Sequence, residues 1–88
     1  MKLKDKVAIV TGAGRGIGRG IAMAYAREGA RLALVSRTAS QVEAAAREAR
    51  DLGAEAFAVP ADVADPDDVR RMVDQTLDRY SRIDILVN

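Results

Sequence analysis

Thr11-Gly12-Ala13-Gly14-Arg15-Gly16-Ile17-Gly18 places a glycine at every second position. Such a string lets the backbone turn tightly and present its N–H groups to an anion, because no Cβ stands in the way. It directly follows the apolar run Val7-Ala8-Ile9-Val10 and opens a helical pattern. A glycine string alone also fits a flexible turn. Strand, glycine loop and helix in that order fit a phosphate cradle, in which the helix start supplies free N–H groups and a partial positive charge. The chemistry expected here is a backbone grip on the pyrophosphate of a dinucleotide.

A second set of groups stands where the next apolar run ends. Dinucleotide sites usually place Asp or Glu there, bonding the ribose hydroxyls. Here the position holds Ser36, then Arg37, and no acidic residue lies between Glu28 and Glu43. A carboxylate would repel a 2′-phosphate. Ser36 can donate a hydrogen bond to one, and Arg37 a charge-assisted one. Arg15, inside the glycine loop, can reach the same phosphate from the other side. These residues therefore point to NADP(H) rather than NAD(H), against the alternative that both arginines are solvated surface charges. A hydrogen bond to a charged group is worth roughly 1.5–3 kcal/mol, so one such contact gives roughly a ten- to hundredfold preference.

The elements that must position these groups are legible as an alternation. Val7 to Val10 reads as strand one, Ile17 to Glu28 as helix one, and Gly29 as its closing glycine. Leu32 to Val35 reads as strand two. Thr38 and Gln41 have capping-box spacing, so a second helix is expected from there to Leu52, stopping at Gly53. Its alanines favour helix and let it pack close to a sheet. Ala56 to Val59, closed by Pro60, reads as strand three. Asp65 and Pro66 suit the N-cap and first turn of a third helix. Val69, Met72, Val73, Thr76, Leu77 and Tyr80 then recur at spacings of three and four, one buried face. Ile83 to Val87 reads as strand four, buried on both sides in the style of a central parallel strand. The expected fold is α/β, a Rossmann-type parallel sheet of order 3-2-1-4 with right-handed crossovers. Residues 1–88 form a single NADP(H)-binding half-domain. An apolar fourth strand makes a poor sheet edge, so the sequence is expected to end before its fold does.

The loop departs from G-x-G-x-x-G, because Ile17 holds the third glycine position. It fits T-G-x-x-x-G-x-G through Thr11, Gly12, Gly16 and Gly18, and here the chain resembles the short-chain dehydrogenase/reductase family along its whole length. Asp62-Val63 after strand three looks like the family's adenine-contacting acid and its neighbour. Read without the resemblance, Asp62 is equally a turn-former before the third helix. Asp84-Ile85-Leu86-Val87-Asn88 looks like the lead-in to the family's N-N-A-G segment. The resemblance implies that Thr11 anchors the glycine loop, that Asn88 touches the adenosine ribose, and that NADP-preferring members are similar at both basic positions. It further implies a parent enzyme, homo-oligomeric, that moves hydride between NADP(H) and a carbonyl or alcohol, of the 3-oxoacyl-carrier-protein reductase type. The family's catalytic Y-x-x-x-K motif is not found here: Tyr25 is followed four residues later by Gly29, and Tyr80 by Asp84.

Composition narrows the alternatives. Net charge is +1 from 14 basic and 13 acidic residues, which argues for neither nucleic acid nor an anionic membrane as partner. Cysteine and histidine are absent, which removes thiolate chemistry and the commonest general base and metal ligand. No metal site is expected. No long apolar run follows Met1, so the expected location is the cytoplasm. Two other readings fit in part. A non-catalytic nucleotide-binding module would have the same loop. A methyltransferase-like Rossmann domain would want an acid at the end of strand one or two, where Thr11 and Ser36-Arg37 stand.

Overall fold

A computed structural model describes residues 1–88. Its elements alternate as β1 (Val7–Thr11), α1 (Gly16–Arg27), β2 (Arg31–Ser36), α2 (Ala39–Asp51), β3 (Ala56–Pro60), α3 (Pro66–Tyr80) and β4 (Ile85–Val87). The strands pair in parallel in the order β3-β2-β1-β4, as expected for a Rossmann-type α/β fold.

Helices cover both faces of the sheet, which is why the strands are apolar runs rather than alternations. Ala8, Val10, Leu32, Leu34 and Ala56 face one side, where Ala22, Met23 and Ala26 of α1 and Val42, Ala45, Ala46 and Ala49 of α2 close over them. Val7, Ile9, Ala33, Val35, Phe57 and Val59 face the other, under Met72 and Tyr80 of α3. Small side chains on α2 allow its backbone close to β2 and β3, as expected. The Tyr80 ring meets Phe57 edge-on at 5.6 Å, and its hydroxyl donates to the Leu32 carbonyl at 3.1 Å.

Local signals set most boundaries. Gly29 and Gly53 follow α1 and α2 with φ of +88° and +95°, as helix-closing glycines do. The Asp65 side chain accepts from Asp67 N–H at the start of α3, with Pro66 beside it. Four expectations need correction. Thr38 is the N-cap of α2, but its side chain caps nothing. Instead its carbonyl receives the Ser36 hydroxyl at 3.2 Å and the Gln41 N–H at 3.1 Å. Strand four begins at Ile85, not Ile83: Asp84 N–H donates to the Val7 carbonyl at 2.9 Å, but Val7 N–H is taken by the Asp84 carboxylate at 2.9 Å, which also pairs with Arg82 at 2.7 Å. β4 is not buried on both faces either. Leu86 is 60% exposed, since α3 lies over β1 to β3 and does not reach it. Leu77 also stands outside the buried face of α3, at 42% exposure. No helix is long and apolar enough to cross a membrane.

Candidate functional site

The register levels the strand ends. Thr11 stands opposite Val35, and Ser36 opposite Pro60. Beyond the strands the ladder continues, with Ala13 N–H donating to Val35 and Ala61 N–H to Ser36. The loops after β1, β2 and β3 therefore emerge side by side. Between them lies a cleft of about 390 Å³, lined by Gly12, Gly14 and Arg15 from the first, Ser36, Arg37 and Thr38 from the second, and Asp62 and Val63 from the third. Open parallel sheets bind ligands in this position, outside the carboxyl ends of the strands.

The glycine loop is shaped by two constraints. Gly12 and Gly16 have φ of +62° and +60°, and a Cβ on either would point into open space. Gly18 is different: a Cβ there would run into the Gly12 carbonyl. The third glycine thus lets α1 begin directly against the loop. The N–H groups of Gly16, Ile17 and Gly18 have no backbone acceptor, and no side chain caps the helix. No acid stands in the first turn of α1. At α3, by contrast, Asp65, Asp67 and Asp68 crowd the helix start. The positive end of α1 is left for an external anion, the positive end of α3 is not.

Charge follows the same division. Arg19 pairs with Glu48 at 2.8 Å, and Arg71 with Asp68 at 3.6 Å. Arg15 and Arg37, the two arginines of the cleft, take part in none of the ion pairs or side-chain hydrogen bonds of the chain. The Asp62 carboxylate is engaged in a turn, accepting from Ala64 N–H at 2.9 Å, while Asp62 N–H donates to Asp68 at 2.8 Å. The loop, the arginines and the open wall fit a dinucleotide: free donors and unpaired cations line one cleft, and glycine leaves the space. No group of three or more His, Cys, Asp or Glu side chains could hold a metal ion.

The remaining sequence-predicted residues are placed otherwise. Ala13 is fully buried beneath the loop. Ile17 stands 84% exposed on the first turn of α1. The Thr11 hydroxyl does not hold the loop. It lies 3.1 Å from both the Val87 carbonyl and the Asn88 side-chain oxygen, so its one proton ties β1 to β4. Asn88 is therefore at the end of β4, outside the cleft lining. Sequence reasoning missed two residues that shape the cleft. Gln41 lines it from the first turn of α2. Arg19 joins α1 to Glu48 of α2 and reaches the Gly14 carbonyl at 3.5 Å. No spacing rule connects positions so far apart.

Comparison with known proteins agrees with this architecture. The model of the family described as short chain dehydrogenase matches residues 6–88. Sorbitol dehydrogenase of Cereibacter sphaeroides is 47% identical over 88 residues, covering 100% of this chain and 33% of that protein. The crystal structure of a hydroxysteroid dehydrogenase from Escherichia coli superposes with a TM-score of 0.96 at 34% identity, covering 99% of this chain and 36% of that one. That of the 3-ketoacyl-(acyl-carrier-protein) reductase of Brucella melitensis, complexed with NADH, gives 0.88 at 39% identity, covering 96% and 33%. The chain spans a quarter to a third of the length of the curated relatives it matches.

Proposed function

The chain belongs to the short-chain dehydrogenase family, and from that premise we propose that residues 1–88 are the NADP(H)-binding part of an oxidoreductase. Two arginines without partners, Arg15 and Arg37, on two walls of one cleft carry this reading. With Ser36 at the end of β2 in place of an acid, that wall suits a 2′-phosphate and not a bare ribose diol. The N–H groups of Gly16, Ile17 and Gly18, with Gly12 and Gly14 beside them, bind the pyrophosphate. Ala13 holds the loop's base on the sheet through its N–H to Val35, and Thr11 ties β1 to β4 beneath it. Asp62 and Val63 meet the adenine, and Asn88 the ribose next to it.

When bound, NADP(H) supplies or accepts the hydride exchanged with a carbonyl or alcohol substrate. The chain's own contribution is to bind and orient the adenosine end. The likeness to a 3-ketoacyl-(acyl-carrier-protein) reductase supports 3-oxoacyl thioesters as the substrate class. Arg37→Ala and Arg15→Ala test the reading by calorimetry. Each should weaken 2′,5′-ADP about tenfold and 5′-ADP less than threefold. Equal losses for both ligands would assign the arginines to the pyrophosphate or to solvent instead.

A further inference from the structure

Resting on that reading of the cleft, we propose that Gln41 is a further specificity-determining residue, whose side-chain amide donates to the 2′-phosphate alongside Arg15 and Arg37.

Gln41 lies on the first turn of α2, three residues after its N-cap, and is half-buried in the cleft wall. It sits where two walls meet. A Cβ built on Gly14 would stand 3.0 Å from the Gln41 Cβ, 3.2 Å from its Oε1 and 2.8 Å from the Ser36 Oγ. The side chain of Gln41 therefore occupies the space that any side chain at position 14 would need. Glycine at 14 allows α2 to bring that amide against the loop carrying Arg15, with the Ser36 hydroxyl beside the same point and Arg37 in the same cleft.

The donors at this wall are unequally free. The Ser36 hydroxyl is committed to the Thr38 carbonyl. A reciprocal cap would engage only the Gln41 Oε1, as acceptor, and would leave both side-chain N–H groups free. No hydrogen bond within the chain engages that amide, and none of its atoms is buried without a partner, so it meets the open cleft. An amide offers two N–H donors, and a donor beside two unpaired guanidinium groups suits an anion. Gln41 is thus the neutral donor left for a ligand where Ser36 is already engaged.

Two substitutions test this on the 88-residue chain by calorimetry with 2′,5′-ADP and 5′-ADP. Gln41→Glu keeps the shape, and an acid three residues after an N-cap suits the helix, so the fold should be retained. It should weaken 2′,5′-ADP by about thirtyfold or more and 5′-ADP by less than about threefold. Gln41→Met keeps the length and removes the donor. It should weaken 2′,5′-ADP about tenfold, again with 5′-ADP nearly unchanged. A wild-type preference retained in both variants overturns the role of Gln41 and leaves the cleft reading standing. Equal binding of the two ligands by the wild-type chain overturns the cleft reading, and this inference with it.

Discussion

Gly18 and Gly20 are two residues apart on α1, yet they answer to different demands. A Cβ on Gly18 meets the Gly12 backbone carbonyl, and one on Gly20 meets nothing. Gly18→Ala should therefore cost about 1–3 kcal/mol by forcing the loop off the helix, and should weaken nucleotide binding. Gly20→Ala should stabilise by about 0.5–1 kcal/mol, as alanine for an exposed helical glycine does. Urea unfolding of both variants checks this, and shifts of the same sign would contradict it. At this scale the sequence was informative where chemistry depends on residue type and adjacency. Arg15, Ser36 and Arg37 could be singled out because the glycine loop and a strand end locate them. Gln41 and Arg19 could not, because their partners come from folding: Gly14 meets Gln41 across 27 positions, and Arg19 meets Glu48 across 29. The Ser36 hydroxyl was legible as a donor, but not that Thr38 would receive it.

Among the elements, helix starts separate by function. α3 carries its own carboxylates and α1 carries none, so of these two α1 is the one with an N-terminus open to a phosphate. Both properties could be read from the sequence, since Asp65-Pro66-Asp67-Asp68 and a run of glycines differ plainly. The α2 start at Thr38 was read correctly, but its side-chain cap was not formed, because capping-box spacing is also met by residues whose side chains point elsewhere. β4 was read too long because Asp84 looks like part of an extended run, whereas its carboxylate clamps β1. The Arg82 guanidinium, and then the Val7 N–H, hold that carboxyl below the usual carboxylate range. A folded-state value below the unfolded one adds stability above the ordinary carboxylate range. That contribution is lost as pH falls through the lower, folded value. Asp84→Asn should therefore flatten the stability curve below about pH 4, while the amide oxygen can still accept from Val7. Urea midpoints across that range test it. An unchanged acid limb in the variant would remove Asp84 from acid unfolding.

For the whole molecule, the parallel sheet with helices on both faces followed from alternation and right-handed crossovers, and the order 3-2-1-4 from the Rossmann-type reading of the glycine loop. What alternation could not give is how far each helix extends over its neighbours. Leu77 and Leu86 carry the apolar pattern of buried positions and are exposed, since burial depends on what lies above a strand and not on the strand itself. The same limit applies to the cleft: the strand ends that frame it were foreseeable, and the depth and free donors of its walls come from packing. The central claim is that this cleft reads a 2′-phosphate. The most direct measurement is the calorimetric affinity of the wild-type chain for 2′,5′-ADP relative to 5′-ADP. Binding of 2′,5′-ADP at least about tenfold tighter is the expected result. Equal affinities would contradict it, and would leave Arg15 and Arg37 as surface charges beside an ordinary dinucleotide loop.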